Sequence, residues 1–396
     1  MRVLAASTAG AGHFGPLEPI LQALARRGDD VLVVGPPSLA AAAGAAGLCF
    51  RAGAEPPLEE QASIWEQFPK VSRREAGALI DRELFARLCT AAMLPVMEAV
   101  CDEWRPDLVM REPCEYASAV AAERRSIPLA QVAISLAEIE ASVLELVAPV
   151  LATYGEQMAD RLLASPYLTR FPPSLDPSPF PATWRWRPGD EAEHRPLPAW
   201  WGANSAPLVY VTFGTVTGQL PVAATTYRSA LDAVAGLRAR VLLTAGRTTD
   251  VSVLAPLPPN VHVEPWVPQG DVLADAAAVV CHGGSGTVIG ALSAGVPLVV
   301  VPMFADQPAN ARLVAKAGAG LVVEPARGVG DAMGALRPED AARLRAAIEA
   351  VLAEASYRHA ASVLADEVRS LPTAHELVET LAAELAAGSG GWGGGA

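Results

Sequence analysis

The segment Val279-Val280-Cys281-His282-Gly283-Gly284-Ser285-Gly286-Thr287 constrains this chain more than any other. Its apolar, β-branched start has no polar alternation, which marks a strand covered on both faces, and the glycines then open onto a helical pattern. A strand buried on both faces belongs to a parallel sheet, and parallel neighbours need a crossover helix after each strand. The same rhythm recurs at Arg2–Ser7, Val31–Val34, Leu48–Arg51 and Asp107–Met110. It restarts at Leu208–Thr212, Arg240–Thr244, Val261–Glu264, Ala278–Cys281 and Leu298–Val301. The fold class is therefore α/β, in two halves, and 396 residues suit two domains.

Between the halves, residues 165–207 are proline-rich with interleaved aromatics and no clear period, which makes this stretch the best domain boundary. The division expected is 1–200, then 201–370, then a helical segment 371–387. Residues 388–396, GSGGWGGGA, lack the apolar content to order themselves. Residues 55–100 read as a helical, aromatic insertion, with Trp65, Phe68 and Phe85 either lining a pocket or packing as core.

Composition removes several classes. A net charge of −13 without a basic run argues against nucleic-acid binding. Five scattered cysteines without a CxxC pair suggest neither a disulfide framework nor a zinc site, which fits a reducing, cytoplasmic compartment. The N-terminus suits a first strand better than a signal peptide. No uninterrupted apolar run approaches the roughly 18 residues of a membrane span, so no membrane is expected as a partner.

Gly10, Gly12 and Gly15 spell GxGxxG between a strand and a helix, the dinucleotide fingerprint. The second strand, however, ends Val34-Gly35-Pro36 with no acid to hold a ribose, which disfavours a nicotinamide enzyme. The same loop carries His13 at the mouth of a sheet, where an imidazole can move protons. In the second half, the helix start after His282, with Gly284, Ser285, Gly286 and Thr287, suits a phosphate, and His282 adds a hydrogen bond. Thr287 stands where the serine-hydrolase motif GxSxG needs glycine, and no Lys follows to make a P-loop. Trp266 and Gln269 pair a stacking face with an edge-reading amide, and Asp306 with Gln307 can clamp hydroxyls after a strand. Base reader, phosphate cradle and hydroxyl clamp, in that order, describe a nucleotide-sugar site.

The run from Trp266 to Asn310 resembles the donor signature of the nucleotide-sugar-dependent glycosyltransferases of GT-B fold that modify small molecules, and most of all their actinobacterial antibiotic branch. The likeness extends from Gly12-His13 through Thr212-Phe213-Gly214-Thr215 to the C-terminal helices. It implies two Rossmann-like domains with parallel sheets facing across a cleft, the acceptor in the N-terminal half, the donor in the C-terminal half, and a last helix returning to the first domain. Trp266 and Gln269 would hold the base. Thr215, His282 and the amides of Ser285, Gly286 and Thr287 would hold the diphosphate, and Asp306 and Gln307 the sugar. His13 would be the general base of an inverting transfer. No DxD triplet occurs, which is consistent with chemistry that uses neither metal nor cofactor.

Relatives usually pair the histidine with Asp, where this chain has Glu112, with Glu115 close enough to compete. They often carry a ribose-binding Glu where this chain has Gly290, a loss that matters little for thymidine diphosphate (TDP), whose deoxyribose lacks the 2′-hydroxyl. The expectation is a TDP-sugar rather than a UDP-sugar, transferred to an aromatic or macrocyclic aglycone over Trp65, Phe68 and Phe85. A homodimer is left open. The rivals are a sugar-nucleotide epimerase of the same fold and a silent auxiliary partner of another transferase.

Overall fold

The structure, a computed structural model, describes residues 1–189, 194–218, 222–247, 249–325 and 333–387. The chain divides into two compact units, Met1–Gly189 with the segment from Leu371 onward, and Asp190–Ser370. The Gly-rich stretch 388–396 lies outside the described residues.

The first unit holds seven strands: β1 (Arg2–Ala6), β2 (Asp30–Gly35), β3 (Cys49–Ala52), β4 (Leu108–Arg111), β5 (Leu129–Val132), β6 (Tyr167–Thr169) and β7 (Thr183–Arg185). All pair in parallel in the order β3-β2-β1-β4-β5-β6-β7. The second unit holds β8 (Leu208–Thr212), β9 (Arg240–Thr244), β10 (Val261–Glu264), β11 (Ala276–Cys281), β12 (Leu298–Val300) and β13 (Gly320–Val322), again all parallel, in the order β10-β9-β8-β11-β12-β13. Both orders reverse beside the first strand. Ligands of open parallel sheets bind at that switch, outside the strands' carboxyl ends.

Two strands, β6 and β7, lie inside the stretch that the sequence reading leaves without a period. Each is three residues long, below the length at which alternation can be recognised. A further difference concerns the insertion. Helices Leu58–Gln67 and Arg73–Ala78 are followed by a π-wound segment, Leu79–Cys89, that continues into helix Thr90–Trp104. Glu75–Trp104 is one 30-residue helical stretch, long and apolar enough by length and composition to cross a membrane. Counting uninterrupted apolar residues misses it, because isolated polar residues break the run. In this fold Ala86, Met93, Leu94, Met97, Val100 and Cys101 of that stretch are buried in the first unit's core beside β1 and β4 residues Leu4, Ala6 and Val109.

The last helix, Ala374–Ala386, starts at a capping box made by Thr373 and Glu376. It buries Ala374, Leu377, Val378 and Leu381 in the cluster formed by Val3, Ala5, Leu17, Leu21 and Val33. Removing that apolar face from water contributes about 1.5–3 kcal/mol per large side chain. The last helix is thus part of the first unit. All five cysteines are free thiols.

Candidate active site

In the first unit the site is built where β1 and β4 end side by side, with Ala6 paired to Arg111. Gly10, at φ 115°, makes the left-handed turn that starts helix Ala11–Phe14 and carries His13. Gly15 lies against the Ala11 carbonyl, where a Cβ would come within 2.6 Å. Gly10 and Gly15 therefore serve this turn and its packing, whereas a Cβ on Gly12 would meet nothing, and the turn places an imidazole where a dinucleotide enzyme would place pyrophosphate.

Glu112 follows β4 and is fully buried. Its Oε1 accepts from the Thr8 amide at 3.0 Å and the Thr8 hydroxyl at 2.7 Å, and its Oε2 accepts from the Cys114 amide at 2.6 Å. The same Oε2 lies 3.3 Å from His13 Nδ1. Burial raises the Glu112 pKa, yet the facing His13 and the amides of Thr8 and Cys114 outweigh it and hold the carboxyl at about 2. A carboxylate 3.3 Å from Nδ1 favours the proton on that nitrogen, which leaves Nε2 as the basic lone pair.

Glu115 is committed elsewhere. Its Oε1 accepts from the Ala117 amide at 3.1 Å and its Oε2 from the Ser118 amide at 3.1 Å and the Ser118 hydroxyl, which caps helix Ala117–Glu123. Of the two candidate carboxylates, Glu112 is the one at His13.

The π-wound segment brings two more groups to His13. The Phe85 ring sits 5.5 Å from the imidazole centroid at a tilt of 55°. Burial pushes the Asp81 carboxyl up to about 6, with the charge of His13 opposing it. Sequence reasoning missed Asp81, because a helix read at 3.6 residues per turn gives no reason to single it out; widened turns of this kind recur at functional sites. Trp65 and Phe68 form a separate pair, 5.7 Å apart, with Trp65 52% exposed.

In the second unit β8 and β11 end side by side, Thr212 against Cys281. Gly214, at φ 78°, opens the short helix Gly214–Thr217, which carries the exposed Thr215. Gly284 caps helix Ser285–Ser293. A Cβ on Gly214 would meet His282 Nε2 at 2.7 Å, and one on Gly284 would meet it at 2.5 Å. Nε2 is therefore held between two helix starts whose glycines leave it room. Burial lowers the His282 pKa to about 4, against the Thr212 backbone, so the ring is neutral at pH 7.

Two details differ from the resemblance's expectation. The Thr287 amide donates to the Gly284 carbonyl at 3.0 Å, leaving the Ser285 and Gly286 amides as the pair at the helix start. Gln307 is buried, and its Oε1 accepts from the amides of Met303 and Phe304 at 2.9 and 3.1 Å, so its Nε2 is the end left for a hydroxyl. The side-chain oxygen folds back because the loop after β12 has its own amides to satisfy.

Asp306 Oδ2 accepts from the Ser285 hydroxyl at 2.8 Å and from Asn310 Nδ2 at 3.0 Å, tying the loop after β12 to the start of helix Ser285–Ser293. Asn310, fully buried, also donates to the Gly283 carbonyl at 2.8 Å. Its place three residues beyond Gln307, on the same helix face, was the signal available in the sequence.

Trp266 is 42% exposed, and the Arg247 guanidinium lies 3.6 Å from its ring centroid, a cation–π contact. Gln269 Nε2 is buried and meets no hydrogen-bond acceptor among the described residues. Its Oε1 lies 3.3 Å from where a Cβ on Gly290 would stand.

Two doubly wound sheets, one with an imidazole facing a buried carboxylate and the other with a glycine-lined helix start at its switch, have the architecture of a glycosyltransferase of GT-B fold. The comparisons agree. Residues 22–155 and 228–384 match the sequence profiles of the N-terminal and C-terminal domains described as erythromycin biosynthesis protein CIII-like. The chain belongs to that family. It is 32% identical over 392 residues to the elloramycin glycosyltransferase ElmGT of Streptomyces olivaceus, covering 96% of this chain and 97% of that one. It is 32% identical over 401 residues to an L-demethylnoviosyl transferase of Streptomyces niveus, covering 97% and 98%. Among solved structures, the glycosyltransferase VinC in complex with dTDP superposes with a TM-score of 0.76 at 25% identity, covering 98% of this chain and all of that one.

Proposed function

We propose that this glycosyltransferase moves a sugar, a deoxysugar by expectation, from a TDP-sugar to a hydroxyl of an aromatic or macrocyclic natural product, with inversion and without a metal. The observation that carries the reading is the His13–Glu112 pair, a buried, ionised carboxylate 3.3 Å from an imidazole at the end of the central strands. In this reading Nε2 of His13 takes the proton of the acceptor hydroxyl as its oxygen bonds to the anomeric carbon. The bond from that carbon to the diphosphate oxygen breaks on the opposite face, which inverts the centre. Glu112 stabilises the imidazolium that results.

The leaving diphosphate receives its charge stabilisation from the Ser285 and Gly286 amides, the helix dipole behind them, and His282. The thymine stacks on Trp266, and the orphaned Gln269 amide supplies a donor for a base carbonyl. Asp306 and Gln307 Nε2 hold sugar hydroxyls. Gly290 leaves the ribose 2′ position without a carboxylate, which favours a deoxyribonucleotide. Phe85, beside His13, offers the acceptor an apolar face.

The test incubates the chain with TDP-sugars and a panel of aromatic, macrocyclic and small polar acceptors in the presence of a chelator. The expected result is a glycosylated apolar product of inverted anomeric configuration by NMR, lost in His13→Ala. Retention of configuration, dependence on added metal, or transfer to small polar acceptors alone would refute the corresponding part.

A further inference from the structure

Among the described residues, His13, Glu112 and Cys114 form a group whose ligating atoms all lie within 4.8 Å of one another. We propose that this imidazole, carboxylate and thiol constitute an inhibitory site for a thiophilic divalent cation, with zinc as the fitting ion, and that the ion switches off the proton-accepting nitrogen of His13. The donor set is mixed nitrogen, oxygen and sulfur, which suits zinc or cobalt and disfavours magnesium or calcium.

Geometry supports it. A tetrahedral zinc with bonds of about 2.0–2.1 Å to nitrogen and oxygen holds those atoms about 3.3 Å apart. That is the distance between His13 Nδ1 and Glu112 Oε2, 3.3 Å. It is longer than the roughly 2.7–2.9 Å of a charge-assisted hydrogen bond. A zinc-bound sulfur would sit about 3.5 Å from either, and Cys114 Sγ lies within 4.8 Å of both atoms, so a side-chain rotation closes the site.

Glu112 is already oriented by Thr8 and by the Cys114 amide, which is the kind of outer support that stiffens a metal ligand. Glu112 and His13 Nδ1 are buried, while His13 and Cys114 are half-buried as residues, so an ion reaches the group past these two side chains. The fourth position falls to water.

The consequence follows from proton bookkeeping. Zinc on Nδ1 requires that nitrogen's lone pair, so the single proton of the neutral ring moves to Nε2. The Cys114 thiol gives its proton to solvent on forming the zinc–sulfur bond. With Nε2 protonated, His13 has no lone pair for an acceptor hydroxyl. This last step rests on the assignment of His13 as the base; the site itself does not.

The experiment titrates Co2+ and then Zn2+ into the full chain with thiols kept reduced by a phosphine. Expected is one equivalent of Co2+ with a near-ultraviolet thiolate-to-cobalt absorption band, displaced by Zn2+, and a band lost in Cys114→Ser. Binding should weaken at least tenfold in His13→Ala as well. Transfer by the wild type should then fall with Zn2+ and return with a chelator, while Cys114→Ser, measured against its own zinc-free rate, should resist. A band that persists in Cys114→Ser places the metal on another thiol, such as the exposed Cys49, and overturns the site. A Cys114-dependent band without loss of transfer overturns the blocked base, and with it the role given to His13.

Discussion

Glu112→Gln removes one charge from the centre of the proposed dyad and keeps its shape. In the wild type the carboxyl is held at about 2 against an ordinary 4.5. At about 1.4 kcal/mol per tenfold, that separation corresponds to about 3 kcal/mol of folding stability. Because the folded-state pKa is the lower one, this stability is present above pH 4.5 and is lost as pH falls toward 2. The variant should therefore unfold at a lower temperature at pH 7 and approach the wild type in acid.

The catalytic effect is separable from that loss. An opposite charge within about 4–6 Å moves a pKa by about 1–3 units, so His13 should become harder to protonate without Glu112. The acidic limb of kcat/KM should shift to lower pH by that amount, and kcat should fall about 10²- to 10⁴-fold as the base weakens. Glu115→Gln, whose carboxyl faces Ala117 and Ser118 rather than His13, should leave the acidic limb in place. The assay is a pH–rate profile with thermal unfolding and TDP titration on the same samples. A folded Glu112→Gln chain that keeps kcat within about threefold and an unmoved acidic limb would refute the dyad.

Three further outcomes follow from the same geometry. Gly284→Ala puts a Cβ 2.5 Å from His282 Nε2, so the ring must shift, and TDP binding should weaken about tenfold or more by calorimetry, measured below the variant's own melting temperature. Gly290→Glu places a carboxylate beside Gln269 and should raise UDP affinity relative to TDP; an unchanged ratio would remove the deoxyribose argument. Glu140 is buried, and burial pushes its carboxyl up to about 8, outweighing the Tyr167 hydroxyl and the amides of Ile134 and Ser135. Its folded-state pKa lies above the unfolded one, so stability is full below pH 4.5 and declines as pH rises toward 8. Glu140→Gln should therefore raise the melting temperature at pH 8 by several degrees and change little at pH 5, measured by differential scanning calorimetry.

The central strands were legible because buried parallel strands are written as short apolar runs closed by glycine. Leu208–Thr212 and Arg240–Thr244 coincide with β8 and β9 to the residue. Strands β6 and β7 were not, since three residues among prolines carry no period, and β5 and β13 were missed as well. Glu112 and His282 stand out in the sequence because each follows directly on a strand, and His13 because the Gly-rich turn after β1 carries it.

It was illegible where tertiary contacts decide a group's use. Glu112 and Glu115 are chemically alike in sequence, and their roles part because one faces His13 while the other caps a helix. Gln307 reads as a free amide, yet its oxygen is taken by its own loop. Asp81 and Cys114 needed the π-wound turn and the end of β4 to bring them to His13.

The claim on which the functional reading turns is that the unit Asp190–Ser370 holds a thymidine nucleotide. Calorimetric titration of TDP, UDP and NAD into the purified chain, with a chelator present, addresses it directly. The account predicts tight binding of TDP, weaker binding of UDP and none of NAD, with the TDP affinity lost in Gly284→Ala. Equal affinity for UDP would contradict the Gly290 reading, and binding of NAD alone would contradict the donor site itself.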